Sequence, residues 1–278
     1  MKKEDFKNKK VIITGASGGI GQAIVKVFAE RGAEILAISR SDGGLSKLSN
    51  VQFLSADVSG VADLKNISRL INGEWGGRVD ILVNAAGIYG PMGPLEDNDL
   101  ELWSKTIAVN LLGTVNMCRL VIPIMKAQKF GRIINFSGGG EGAFPNFTAY
   151  SASKGAIVRF TESLAEELKD FGVTVNAIAP GAVNTQLLDQ VLSAGPEKIG
   201  KNFYKKSLKQ KSEGGVSPEK AAEIILFLAS DAASSLSGKI ISAVWDNQKT
   251  ILEHLKEIQN SDIYNFRRIK PKDRGYEW

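Results

Sequence analysis

A chain of 278 residues with 43% hydrophobic and 23% charged residues is long enough to bury a substantial core and ordinary for a globular protein. One cysteine (Cys118) and one histidine (His254) exclude an internal disulfide and a His/Cys metal cluster, so no metal is expected. The formal charge of +5 is modest, the charged start MKKEDFKNKK is not a signal peptide, and no apolar run approaches the roughly 20 residues that cross a bilayer; neither membrane nor nucleic acid is an expected partner, and a reducing cytoplasm suits the composition.

Short β-rich runs alternate along the chain with longer helical patterns. VIITG (11–15) runs into a glycine cluster and then IGQAIVKVFAERGA, whose apolar residues recur every three or four positions. EILAIS (34–39), VQFLSAD (51–57), DILVNAA (80–86), RIINFS (132–137), VTVNAIAP (173–180) and KIISAVW (239–245) are the later strand candidates. Most are near-continuous apolar runs, as parallel strands covered on both faces require. Helical patterns lie between them at 62–73, 99–126, 150–171 and 218–229. The alternation predicts βαβ units and an α/β fold with a doubly wound parallel sheet of about seven strands. With no linker or repeat, residues 1–278 read as one domain: a core over 10–245, a polar lysine-rich lid at 185–216 and an extension at 247–278 with a helix near 248–260.

TGASGGIG (14–21) follows the first strand and opens the first helix. Gly15, Gly19 and Gly21 are spaced by four and two rather than as G-x-G-x-x-G. The physics is shared: glycines allow a tight turn and close backbone approach, and helix-terminal amides then face a pyrophosphate. At the end of the second strand an acidic residue would take a ribose 2′-hydroxyl and repel a 2′-phosphate. Ser39 and Arg40 stand there instead, with no carboxylate before Asp42. A hydroxyl and a guanidinium suit a phosphate, so NADP is expected as cofactor ahead of NAD.

TGASGGIG, Asp57, NAAG (84–87), Asn110, YSASK (150–154) and PGAV-N-T (180–185) occur in an order and spacing that resemble the short-chain dehydrogenase/reductase family, compact oxidoreductase branch, over residues 10–245. The resemblance implies a Rossmann-type fold and an NAD(P)-dependent enzyme that interconverts a carbonyl and a secondary alcohol of a small-molecule substrate. It implies that Ser17 and Ile20 join the three glycines along the dinucleotide, and that Asp57 and Val58 contact the adenine. Asn84, Ala85, Ala86 and Gly87 would pack behind the cofactor; Pro180 and Gly181 would flank it, with Val183 and Thr185 holding the nicotinamide carboxamide. Against NADP, Gly18 lies where NADP-specific relatives often carry a basic residue. The 99–126 and 150–171 helices resemble those that pair between subunits, which implies a homo-oligomer, tetramer or dimer.

Tyr150 and Lys154, four apart, share one helix face. Alone, that spacing is common by chance; beside a nicotinamide site it becomes a catalytic pair. A phenol of pKa near 10 is a poor proton shuttle at neutral pH, and a neighbouring ammonium favours its ionised form. Tyr150 is expected as general acid/base, Lys154 also as a ribose ligand, and Asn110 as support for a water chain, by the resemblance. The family's serine, which hydrogen-bonds the substrate oxygen, has two registers here. Thirteen residues back from Tyr150 is Ser137; counting along the strand from Arg132 gives Gly138. Ser137 is the expected residue, because the strand can twist at its end. A competing reading is a nucleotide-binding member without catalysis, a redox sensor or scaffold.

The lid carries Lys198, Lys201, Lys205, Lys206, Lys209 and Lys211. They suggest an anionic substrate, such as a nucleotide sugar, a phosphorylated metabolite or a carrier-linked acyl group, unless they are merely a solvated helix face. Phe203 and Tyr204 would wall it. RRIKPKDR (267–274) is too short and too mixed with acids for a nucleic-acid patch.

Overall fold

In the computed structural model, which describes residues 5–138 and 142–278, the apolar runs become seven strands: β1 (Lys10–Thr14), β2 (Glu34–Ser39), β3 (Val51–Ser55), β4 (Ile81–Asn84), β5 (Gly131–Phe136), β6 (Val173–Ala179) and β7 (Ile240–Ser242). They form one parallel sheet in the order β3-β2-β1-β4-β5-β6-β7. Ile12 of β1 pairs with Leu36 on one side and Leu82 on the other, so its side chain joins a row of fully buried ones. Successive strand residues point to opposite faces, and here both faces are covered. Val11, Ile13, Ile35 and Val83 belong to one core cluster, Ile12, Leu36, Leu82 and Ile133 to the other.

Eleven helices supply the cover and the lid: α1 (Gly19–Ala29), α2 (Val61–Asn72), α3 (Leu100–Ile107), α4 (Gly113–Gln128), α5 (Thr148–Leu168), α6 (Gln186–Ala194), α7 (Pro196–Ile199), α8 (Lys201–Glu213), α9 (Pro218–Ala229), α10 (Gln248–Glu253) and α11 (Leu255–Gln259), counted among the described residues. α1 and α9 pack together on the first cluster through Ile24, Phe28, Ile225 and Leu228. α2, α4 and α5 cover the second through Ile67, Ile71, Met117, Val121, Leu164 and Leu168. The chain leaves one edge after β3 and resumes beside β1 with β4, so the strand order reverses between β1 and β4. In open α/β sheets a crevice forms at that point.

Several boundaries differ from the sequence reading. The helix expected over 99–126 is two helices joined by a π-helical turn at Ala108–Leu112, a widening that no side-chain periodicity announces. The run Leu100–Gln128 also corrects the expectation that nothing here is apolar enough to span a bilayer: an 18-residue window has mean hydropathy 1.6. Its Met117, Cys118, Val121 and Met125 are nonetheless fully buried against the sheet, as in a core helix. The lid folds as α6, α7 and α8. β7 stops at Ser242 because Asp246 accepts the Ser242 amide at 2.6 Å and turns the chain. The helix expected at 248–260 breaks at His254. Beyond it the extension is pinned along β7: Tyr264 accepts the Ile240 amide at 2.9 Å, and Lys239 Nζ donates to Ser261 O at 2.7 Å and to Asn265 Oδ1 at 2.6 Å. That pairing satisfies the exposed edge of the sheet.

Candidate active site

A cleft of about 730 Å³ opens at the carboxyl ends of the strands, across the β1/β4 reversal. Its floor is the turn after β1. Gly15 has φ +63°, and a Cβ there would lie 2.7 Å from Ala86 N and 2.8 Å from Ala85 C and O. Only glycine permits this approach. Gly21 is equally forced, since its Cβ would lie 2.2 Å from Gly15 O. α1 therefore starts directly under the cleft, with Gly19, Ile20 and Gly21 in the lining. Its N-terminus has no side-chain cap and no acidic residue in its first turn. Free amides and the positive end of the helix dipole fit the pyrophosphate of a dinucleotide.

Beside that turn stand Ser17, Ser39, Arg40 and Ser41. The Asp42 carboxylate is not in the lining; it accepts from the Ser46 amide and hydroxyl, each at 2.9 Å, and from Gly44 N at 3.2 Å. The Ser46 amide above all holds that carboxyl below its ordinary range. Asp57 does line the cleft, with its acceptor Oδ1 occupied by Ser59 Oγ at 2.6 Å and Ser59 N at 2.9 Å. The Ser59 hydroxyl, then the Ser59 amide and after them the Arg40 charge, lower its pKa. Val58, Ala85, Ala86, Gly87, Pro180, Gly181, Val183 and Thr185 line the same cleft. Asn84 sits behind it, buried, donating to Asn135 Oδ1 at 2.9 Å.

Tyr150 and Lys154, one turn apart on α5, both face the cleft. Lys154 Nζ donates to Phe136 O at 2.9 Å and lies 5.7 Å from the centre of the Tyr150 ring. Burial raises the Tyr150 phenol well above its ordinary range, and the Tyr89 hydroxyl nearby adds to this. Burial also pushes Lys154 down to about 8. The phenol is therefore protonated at neutral pH, with a lysine beside its ring. Asn110 is buried behind the cleft, in the π-helical turn. Its Oδ1 accepts Ile88 N at 2.8 Å, and its Nδ2 donates to Ile88 O and to Ser153 Oγ, each at 2.9 Å.

The placement expected for Ser137 is corrected. Its amide extends the β5–β6 ladder by donating to Ile178 O at 2.9 Å, its side chain is fully buried, and its hydroxyl has no hydrogen-bond partner among the described residues. Ser137 does not line the cleft; Gly138 does. A Cβ on Gly138 would lie 3.9 Å from the Tyr150 hydroxyl and 3.2 Å from Pro180 Cδ. Strand register outweighs the count back from Tyr150, because β5 stays paired to its end and adjacent residues alternate faces. Gly139, Gly140 and Glu141 lie outside the described residues.

The lid presents Phe203, Ser207 and Gln210 to the cleft, at helical spacings of four and three. None of its six lysines is in the lining. Lys211 pairs with Asp189 at 2.7 Å and Lys209 with Glu213 at 3.6 Å, both on the outer surface. Tyr204 packs into the small cluster around Phe147 without reaching the cleft. Sequence reasoning missed Tyr89, Phe144 and Trp245, which do reach it. Tyr89 is two residues past the NAAG motif, in the loop after β4, where no pattern in the sequence marks it.

The family model for short chain dehydrogenase matches residues 9–194. The chain belongs to the short-chain dehydrogenase/reductase family. It is 36% identical over 252 residues to a D-beta-hydroxybutyrate dehydrogenase of Cupriavidus necator, an alignment covering 86% of this chain and 95% of that one. A 3-oxoacyl-acyl-carrier-protein reductase of Thermotoga maritima is 34% identical, covering 85% and 96%. Among solved structures, a candidate NAD(P)-dependent gluconate 5-dehydrogenase of Beutenbergia cavernae with bound NADP at low occupancy superposes with TM-score 0.74 at 31% identity, covering 86% and 96%. Membership makes this chain an oxidoreductase of carbonyl and alcohol groups in small molecules, dependent on NAD(P).

Lys154 gives the site a signature in stability. Its pKa falls from 10.5 to about 8 on folding. Between those values the unfolded chain binds the extra proton, so this group adds stability as pH rises through the interval and penalises the folded state most below it. Lys154→Met should therefore raise the urea midpoint at pH 7, with the gap to wild type narrowing by about pH 9.5. A less stable variant at pH 7, or a gap independent of pH, would contradict a buried charge at this position.

Proposed function

We propose that the protein reduces an uncharged carbonyl compound to a secondary alcohol with NADPH, Tyr150 acting as the general acid. The observation that carries this reading is the half-buried, protonated Tyr150 phenol facing the cleft with Lys154 beside its ring. Bound across the Gly19–Gly21 amides, a nicotinamide dinucleotide supplies the hydride. Lys154 keeps one donor on Phe136 O and has two left for ribose hydroxyls. Its positive charge draws the Tyr150 proton toward release as the substrate oxygen gains charge. Asn110 positions the Ile88 backbone and, through Ser153, the start of α5. Intact Tyr150 and Lys154 in one cleft favour this over a noncatalytic sensor or scaffold.

Arg40 supports NADP over NAD: it lines the cleft beside Ser39 and Ser41, while Asp42 is turned away into its own turn. An anionic substrate has less support than the lid's composition suggests. The charged residues among the described lining are Arg40, Asp57 and Lys154, all in the dinucleotide half or at the catalytic pair. Tyr89, Phe144, Phe203 and Val191 belong with Tyr150 to one apolar cluster that lines the cleft, and Gln190 and Gln210 are neutral polar groups elsewhere in that lining.

A cofactor-oxidation screen across neutral ketones, diketones, keto acids and thioesters tests the reaction class. Tyr150→Phe should abolish turnover of any substrate found while leaving NADPH affinity within a few-fold, because only proton transfer is lost. Normal turnover in that variant would refute the acid assignment. NADPH should bind at least about tenfold more tightly than NADH, roughly 1.4 kcal/mol. Arg40→Ala should remove most of that preference in a fluorescence titration, and an unchanged preference would mean Arg40 does not meet the 2′-phosphate.

A further inference from the structure

Reduction at Tyr150 leaves a gap that Gly138 creates. The carbonyl oxygen accumulates negative charge as hydride reaches the carbon, and one phenol proton is a single donor for it. In the family a serine is the second donor; here its place is a glycine, and the Ser137 hydroxyl is buried away from the cleft. Deepening the carbonyl-reduction reading above, on which it rests, we propose that Tyr89 donates the second hydrogen bond to the substrate oxygen, so that two phenols hold the reacting atom.

Four observations converge on Tyr89. It lines the same cleft as Tyr150, and the two ring centres are 4.6 Å apart at 60°. Its ring also packs against fully buried Phe147, at 5.4 Å and 61°. The backbone that carries it is fixed, because Asn110 bonds both the N–H and the C=O of Ile88, the preceding residue. Its hydroxyl makes no hydrogen bond with any described residue, and the residue lines the cleft with only partial burial. Burial holds Tyr89 above its ordinary pKa, which keeps it a donor at neutral pH.

The two phenols have different tasks. As hydride forms the new C–H bond, the carbonyl π pair moves to oxygen and takes the Tyr150 proton, leaving a phenolate that the Lys154 ammonium faces. Among the described residues no lysine or arginine lies over the Tyr89 ring, so it keeps its proton and stabilises the developing oxyanion as an oriented donor. The site thus rebuilds a two-donor oxygen hole from the loop after β4 rather than from the end of β5.

The test uses the full-length protein, NADPH and 9,10-phenanthrenequinone, a neutral planar diketone suited to an aromatic wall. Tyr89→Phe keeps the ring and its packing and removes one donor, so kcat should fall by about 10²-fold with the NADPH dissociation constant unchanged within roughly twofold. Adding Gly138→Ser to that variant should recover about tenfold or more, because the new Cβ stands 3.9 Å from the Tyr150 hydroxyl and among the described residues comes closest to Pro180, at 3.2 Å from its Cδ. Tyr150→Phe, run alongside, should be inactive. If Tyr89→Phe keeps wild-type kcat while Tyr150→Phe is dead, the Tyr89 proposal falls and the general reading stands. If Tyr150→Phe is active, the acid assignment itself has failed. A Tyr89→Phe variant with weakened NADPH binding and no recovery by serine would reduce Tyr89 to a packing residue and overturn the proposal.

Discussion

Two backbone turns touch at the centre of this molecule, and the site exists because they can. The turn after β1 lies against the turn after β4 so closely that a Cβ at Gly15 would sit 2.7 Å from Ala86 N. Thr14 ties the same pair from the side, its hydroxyl accepting the Ala86 amide at 3.2 Å. Gly21 extends the constraint into α1, leaving no space for a side chain over Gly15 O. The consequence is electrostatic as well as steric: an uncapped helix start, with its free amides and positive dipole end, is delivered to the crevice where the strand order reverses.

The catalytic half depends on a second piece of close packing. Asn110 projects from the π-helical turn and clamps Ile88 through both its N–H and its C=O while holding Ser153 of α5. One buried amide thereby sets the distance between the loop bearing Tyr89 and the helix bearing Tyr150 and Lys154. Burying Lys154 costs stability, offset only in part by its bond to Phe136 O. Perturbed groups of this kind concentrate at functional sites, and Tyr89, Tyr150 and Lys154 bring three of them into one cleft.

Much of this was legible because parallel strands buried on both faces write themselves as apolar runs, and because glycine positions at strand–helix turns have steric causes. Arg40 was legible because it follows the marked end of β2, and Tyr150 and Lys154 because their spacing of four puts them on one face of α5; the structure brings all three into the cleft. The failures share a different cause. Ser137 and Gly138 are adjacent, and choosing between them needs the strand's facing, which a loop one residue shorter than expected disguised. The lid's lysines are spread over so much of α8 that composition could not reveal that Phe203, Ser207 and Gln210 form the inward stripe. Tyr89 stood out in no pattern, since its meaning comes from Phe147, Asn110 and Tyr150, none of them near it in sequence.

The account's central claim is that one cleft seats the dinucleotide and the reacting oxygen together, between α1 and Tyr150. A crystal structure of the protein with NADPH tests this most directly. It should place the pyrophosphate on the Gly19–Gly21 amides, the 2′-phosphate on Arg40, and the nicotinamide against Val183, with the Tyr150 and Tyr89 hydroxyls both facing the open space beside its reactive carbon. A dinucleotide bound away from the Gly15 turn, or a nicotinamide ring out of reach of Tyr150, would contradict it.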